Sequence, residues 1–175
     1  MKNNKKLSYS LFLIIGVFLL TSLDQWTKHL AVIFLKGKPS NILIPGILEL
    51  EYLENRGAAF GILENQQWFF YIITVILLFG IITLYYKMPM TKKYLIGHIL
   101  LMVISAGAIG NFIDRILYKY VIDFIYFSLI NFPKFNVADI FISVGCILAF
   151  ILVLFVYKDE DLEFLTKKES KNGKV

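Results

Sequence analysis

The sequence predicts an all-α membrane protein: four transmembrane helices that carry a small extracytoplasmic β-sheet and a short surface helix. Three observations predict it. Hydrophobic residues make up 58% of the 175 residues, against about 45–50% in soluble domains. Four stretches, Leu7–Leu23, Asn65–Tyr86, Tyr94–Ile113 and Ile140–Tyr157, contain no Asp, Glu, Lys or Arg. Each approaches the roughly 20 residues that a helix needs to cross a bilayer core. Lysines gather beside the ends of these stretches, as they do on the cytoplasmic side of membrane proteins.

The elements follow in order. The first stretch is too long for the apolar core of a cleavable signal peptide, and no small-x-small site follows it. It reads as a span whose helix continues through Asp24 and Lys28 to about Phe34. Asn41–Ile44 and Ile47–Leu53 flank Pro45-Gly46, and Leu48, Leu50 and Tyr52 alternate with Glu49 and Glu51. That period of two around a turn predicts a hairpin with one apolar face. Ala58–Leu63 is short and apolar and suits a surface helix. Val121–Phe127, rich in β-branched and aromatic residues, predicts a further strand. Lys2, Lys5 and Lys6, then Lys87, Lys92 and Lys93, then Lys158, Lys167, Lys168, Lys171 and Lys174 mark one side of the membrane. Both termini therefore read as cytoplasmic, with the connections about Lys36–Gln66 and Leu117–Asn136 outside. Residues 1–157 read as one domain, and 158–175 as a charged tail, disordered for want of an apolar face.

Composition excludes several classes. The net charge of +5 belongs to the topology lysines, and no basic stretch interleaved with aromatics tracks a nucleic acid. Cys146 is the only cysteine. His29 and His98 lie in different apolar segments without ligand-like neighbours, so no metal or cofactor is expected.

Charges in or beside a span are costly and mark function. At about 1.5 Å of rise per residue, Asp24 and Asn111 each lie roughly 25 Å from the start of their spans. Asp24 and Lys28 are four apart and share a helix face, as do Asn111 and Arg115. Asp114 lies three from Asn111, and its neighbour Arg115 is the expected ion-pair partner. Asp139 opens the last span, three after Asn136, where it could equally cap the helix. Asp123 stands in the connection between them. Three helices thus bring polar groups to one depth. No serine or cysteine has a base within reach, which leaves paired carboxylates that share a proton, one as base and the other as acid. A small transporter or channel subunit is the rival reading, but it needs polar groups at several depths.

Five blocks of sequence resemble a known family. They are Asp24-Gln-Trp-Thr-Lys28, Glu54-Asn55-Arg56-Gly57-Ala58-Ala59-Phe60-Gly61, Gly107-Ala-Ile-Gly110-Asn111-Phe-Ile-Asp114-Arg115, Val121-Ile-Asp123-Phe124-Ile and Phe132-Pro-Lys-Phe-Asn136-Val-Ala138-Asp139. In this order they are similar to the motifs of the bacterial lipoprotein signal peptidases (signal peptidase II). The resemblance implies an aspartyl endopeptidase of the cytoplasmic (inner) membrane, active near its outer face. Its substrates would be prolipoproteins, cut just before a diacylglyceryl-modified cysteine, with membrane lipid as the other partner. It implies Asp123 and Asp139 as the catalytic pair. Asp24, Lys28, Asn55, Gly57, Asn111, Asp114, Arg115, Asn136 and Ala138 would shape the site or bind substrate. Where the family often has Gly-Gly, this sequence has Ala106-Gly107, a pair still small enough for close helix packing.

Overall fold

In the computed structural model, which describes residues 2–57, 63–64 and 66–166, four helices are long and apolar enough to cross a membrane. They are α1 (Lys2–Leu35), α2 (Gln67–Lys87), α3 (Leu95–Tyr118) and α4 (Val137–Ile151), the last prolonged by a π-helical turn over Leu152–Val156. Two-thirds of the α3 span is buried, against less than a fifth of each of the others. The fold is therefore three helices laid around α3, their outward faces apolar and uncovered, as helices surrounded by lipid require. Close approach depends on small residues. A Cβ added to Gly107 would strike the backbone oxygen of Ala138 and the side chain of Ile142, so α3 and α4 touch backbone to backbone at that point.

The sheet is three-stranded and antiparallel, in the order β1 (Asn41–Ile44), β2 (Leu48–Asn55), β3 (Val121–Phe127). The hairpin turns at Pro45-Gly46, where Gly46 takes a positive φ of 69° that favours glycine. Burial along β2 does not alternate, every residue being half-buried except the exposed Leu53, yet two of the expected apolar residues face the bundle. Leu50 and Tyr52 pack, with Ile122 and Phe124 of β3, against Ala31 and Leu35 at the end of α1. The sheet thus sits on the end of the bundle where α1 and α3 finish. β2 runs two residues beyond the expected hairpin, to Asn55, which pairs with Val121.

At the other end, Ile81, Tyr85, Met88, Tyr94, Leu100, Leu101, Ile104, Leu152 and Tyr157 form a core. His98 is fully buried there, edge-on to Tyr9 and Tyr85 at ring separations of 4.9 and 4.5 Å. The disordered tail expected from residue 158 is corrected over its first part. Asp159–Leu162 forms a short helix, α5, followed by a turn at Glu163–Leu165. Lys93 pairs with Asp161, the Tyr94 hydroxyl donates to the Asp161 carbonyl at 3.0 Å, and Phe164 stands edge-on to the Tyr94 ring. Residues 167–175 lie outside the described residues, as does the surface helix expected over Ala58–Leu63, apart from Leu63 itself.

Candidate active site

Asp24 and Lys28, one turn apart on α1, point into α3. Lys28 Nζ lies 2.9 Å from Asp24 Oδ2 and 2.9 Å from Asp114 Oδ2, and donates to Asn111 Oδ1 at 2.8 Å. Asp24 and Asp114 are wholly buried and Lys28 is 1% exposed. A buried ammonium is tolerable only when its donors are met by charge, and here two carboxylates and an amide oxygen meet all three. The expected Asp114–Arg115 ion pair is not formed. Adjacent helical residues project about 100° apart, so Asp114 faces α1 while Arg115 faces away from it. Asp24 also accepts from the Ala138 N–H at 2.9 Å, and Asp114 from the Ile122 N–H at 3.2 Å. One carboxylate therefore ties the start of α4 to α1, and the other ties β3 to α3. Gly110 leaves room for this, since a Cβ there would overlap the Asp24 carboxylate.

The second layer of the site is three amides. An ammonium only donates, so Asn111 must turn its oxygen to Lys28 and its nitrogen away. That nitrogen donates to Asp139 Oδ1 at 2.8 Å. Asn136 caps α4: its oxygen accepts from the Asp139 N–H at 3.0 Å, while Asp139 Oδ2 accepts from the Asn136 N–H at 3.0 Å. With its oxygen so committed, its nitrogen donates to Asp123 Oδ1 at 2.7 Å and Asn111 Oδ1 at 3.2 Å. Asn55, whose oxygen accepts from the Gly57 N–H at 3.0 Å, donates to Asp123 Oδ2 at 2.8 Å. The orientation of each amide follows from what its oxygen must accept, and each presents its N–H to a carboxylate. Asp139 is thus both a helix-capping residue and a wall of the site. It is the third residue of α4 and not the first.

Asp123 reaches this place by a sharp reversal. α3 ends on Lys119, which takes the left-handed conformation at φ 66° and donates its N–H to the Arg115 carbonyl at 3.1 Å. Such a residue stops a helix and turns the chain, and β3 then runs back beside α3. Asp123 is 1% exposed. Burial pushes its carboxyl up to about 7 and the charge of Asp139 adds to the rise, while Asn55, Asn136 and Lys28 oppose it. A carboxyl raised in this way can hold a proton near neutral pH.

Asn55, Gly57, Asn111, Arg115, Asp123 and Asp139 line one cavity of about 540 Å³. Its other walls are Thr74 and Leu77 of α2, Ala108 of α3, Ile140 and Val144 of α4, and Phe132 and Phe135 of the preceding loop. Polar groups converge at one end and apolar side chains extend along the helices, the usual form of a ligand site. Among the described residues no cluster of three or more His, Cys, Asp and Glu side chains could hold a metal ion. His29 and Cys146 are exposed on the helix surfaces, away from this cavity.

Every residue singled out from the sequence lies in this network or on the cavity wall. One was missed. Gln25 donates to Asp114 Oδ1 at 2.9 Å, the Gly110 carbonyl at 3.1 Å and Asp24 Oδ2 at 3.3 Å. It lies inside the Asp24–Lys28 block, but an amide beside an aspartate carries no periodic signal of its own.

A family model described as Signal peptidase (SPase) II matches residues 15–155. The chain belongs to the signal peptidase II family. It is 41% identical over 147 residues to a lipoprotein signal peptidase of Streptococcus thermophilus, covering 84% of this chain and 93% of the relative. It is 42% identical over 148 residues to one of Streptococcus pyogenes, covering 85% and 94%. It is also similar to a solved bacterial membrane enzyme, with a TM-score of 0.70 and 32% identity over 93% of this chain and 94% of that one. A second such structure gives 0.70 and 34% over 83% and 94%. Membership of signal peptidase II makes the chain a peptidase, and its four apolar helices make it a multi-pass membrane protein. Nothing in these relatives supports the transporter or channel reading.

Proposed function

We propose that this chain is a membrane aspartyl endopeptidase that removes signal peptides from prolipoproteins, cutting just before the diacylglyceryl-modified cysteine. The observation that carries the reading is the pair Asp123 and Asp139, linked through Asn136 in one cavity at the sheet end of the bundle. A water between the two carboxylates loses a proton to the ionised one and attacks the peptide carbonyl. The protonated one gives its proton to the carbonyl oxygen, which leaves a gem-diol. The proton taken from water then passes to the amine nitrogen as the C–N bond breaks, and a gem-diol hydroxyl returns its proton to the carboxylate that first donated one as the new carboxyl group forms. The amides of Asn55, Asn111 and Asn136 hold the carboxylates in place and leave their remaining lone pairs to the reaction. Asp24, Lys28 and Asp114 support that array from below, and Gly57 and Ala138 join it through their backbone.

The lipid of the substrate has a physical role. The cavity adjoins the apolar faces of α2 and α4, and acyl-chain burial contributes about 0.8 kcal/mol per CH₂. Two chains anchor the cysteine at the depth of the site, which brings the preceding peptide bond close to the carboxylates. The membrane is the bacterial cytoplasmic (inner) membrane, with the site towards its outer face. The test is a gel-shift assay of purified protein with one prolipoprotein, before and after diacylglyceryl transfer. The lipidated form should be cut and the unlipidated form cut far more slowly, with no cutting by Asp123→Asn or Asp139→Asn. Equal rates on both forms, or full activity in either variant, would refute the reading.

A further inference from the structure

Arg115 lies on the wall of the same cavity as Asp123 and Asp139, yet its own hydrogen bonds are weak. Its guanidinium donates to the backbone carbonyls of Gly57 at 3.4 Å and Asn111 at 3.5 Å, both at the long limit of such a bond. Among the described residues it has no ion-pair partner within 4.0 Å. Its main seat is an aromatic ring: the guanidinium carbon sits over Phe70 of α2, 4.4 Å from the centroid. That ring is buried and is braced edge-on by Phe69 at 5.8 Å. The next residue, Tyr71, donates its hydroxyl to the Arg115 carbonyl at 2.8 Å and stands edge-on to Phe112. So α2 holds Arg115 by both its backbone and its charge.

A ring face neutralises part of the charge but accepts none of the five N–H donors. A guanidinium so seated keeps donors to spare, and both of its present acceptors are backbone carbonyls. A peptide entering the cavity offers the same group. We infer that Phe70 is a positioning residue: its ring seats the Arg115 guanidinium at the cavity wall, where Arg115 donates to a backbone carbonyl of the bound peptide. The inference rests on the peptidase reading above and adds to it how α2, which supplies no carboxylate, takes part in binding.

Steady-state cleavage of a diacylated prolipopeptide tests it in wild type, Phe70→Leu, Phe70→Trp, Arg115→Gln and the Phe70→Leu/Arg115→Gln double variant. Loss of a desolvated cation–π seat should raise KM about ten-fold in Phe70→Leu. A binding contact equal in ground and transition states leaves kcat within about two-fold. Phe70→Trp, which keeps a ring face, should retain the wild-type KM. Phe70→Leu should cost nothing further once Arg115 is gone, because the two act as a unit. An equal loss from Phe70→Leu in both backgrounds, or a Phe70→Trp variant as poor as Phe70→Leu, would show a merely structural ring and overturn the inference. If Phe70→Leu fails to accumulate in the membrane, Phe70→Met takes its place with the same expectations. A wild-type protein that cuts nothing sinks the peptidase reading instead.

Discussion

Asp123 and Lys28 are both charged residues taken out of water, with opposite consequences. Burial beside Asp139 raises the Asp123 carboxyl to about 7. The groups facing it are Asp139, Lys28 and Arg115. Because its value is raised, the proton is held below about 7 and lost as pH climbs through it. If that proton is the one delivered to the carbonyl oxygen, kcat/KM should fall progressively above about pH 7. A profile measured from about pH 5 to 9 checks this, and a rate still rising beyond 8 would assign the acid elsewhere. Lys28, by contrast, is buried between two carboxylates, 2.9 Å from each. Lys28→Met leaves Asp24 and Asp114 buried and facing each other without a cation. Breaking such a pair costs about 3–5 kcal/mol, so thermal unfolding in detergent should show a large loss of stability. The pairing of Asp24 with Lys28 was legible in their i, i+4 spacing. The choice of Lys28 and not Arg115 as the partner of Asp114 was not, because it depends on which side of α3 faces α1.

The four helices were legible in the sequence because lipid imposes a single rule along their length, that outward side chains be predominantly apolar. Their contacts follow from exceptions to size, not to polarity. Gly107 lets α3 meet the first turn of α4, which sets where Asn136 and Asp139 stand relative to Asn111. Gly107→Val should therefore strain this crossing by about 1–3 kcal/mol and lower activity along with stability. Gly80→Val is the control, since nothing lies within 4 Å of a Cβ there. Comparable losses of thermal stability in both variants would mean that glycine at 107 matters only as a local helix property. The hairpin was equally legible, through its alternation and its Pro45-Gly46 turn. The ordered start of the tail was missed: α5 is held by pairs such as Lys93–Asp161 and Tyr94–Phe164, which join residues nearly seventy positions apart. Local composition there showed only charge.

For the whole molecule, the lysine distribution makes a statement about orientation. Lys2 to Lys6, Lys87 to Lys93 and Lys158 belong to one end of the bundle, where Tyr9, Tyr85 and Tyr157 also meet. We expect that end to be cytoplasmic. Reporter fusions at Met88 and after Lys158 should then give a cytoplasmic signal, and a fusion at Pro39 an external one. A cytoplasmic signal at Pro39 would place the sheet and the cavity inside the cell, away from any substrate already translocated.

By itself, the sequence determined that the chain crosses a membrane four times, which residues are too polar to be there by chance, and that these lie near one depth. It could do so because hydrophobicity, helical rise and turn chemistry act locally and leave their period in the chain. Only the tertiary structure decided which polar group meets which: Lys28 with Asp114, Asn136 with both carboxylates, Gln25 across Asp24 and Asp114, and Arg115 over Phe70. Those pairings depend on how helices rotate about their axes and on how a single left-handed residue, Lys119, turns β3 back on α3. Rotation and reversal are settled by packing among distant segments, where a charge must find a partner because no water is there to replace one.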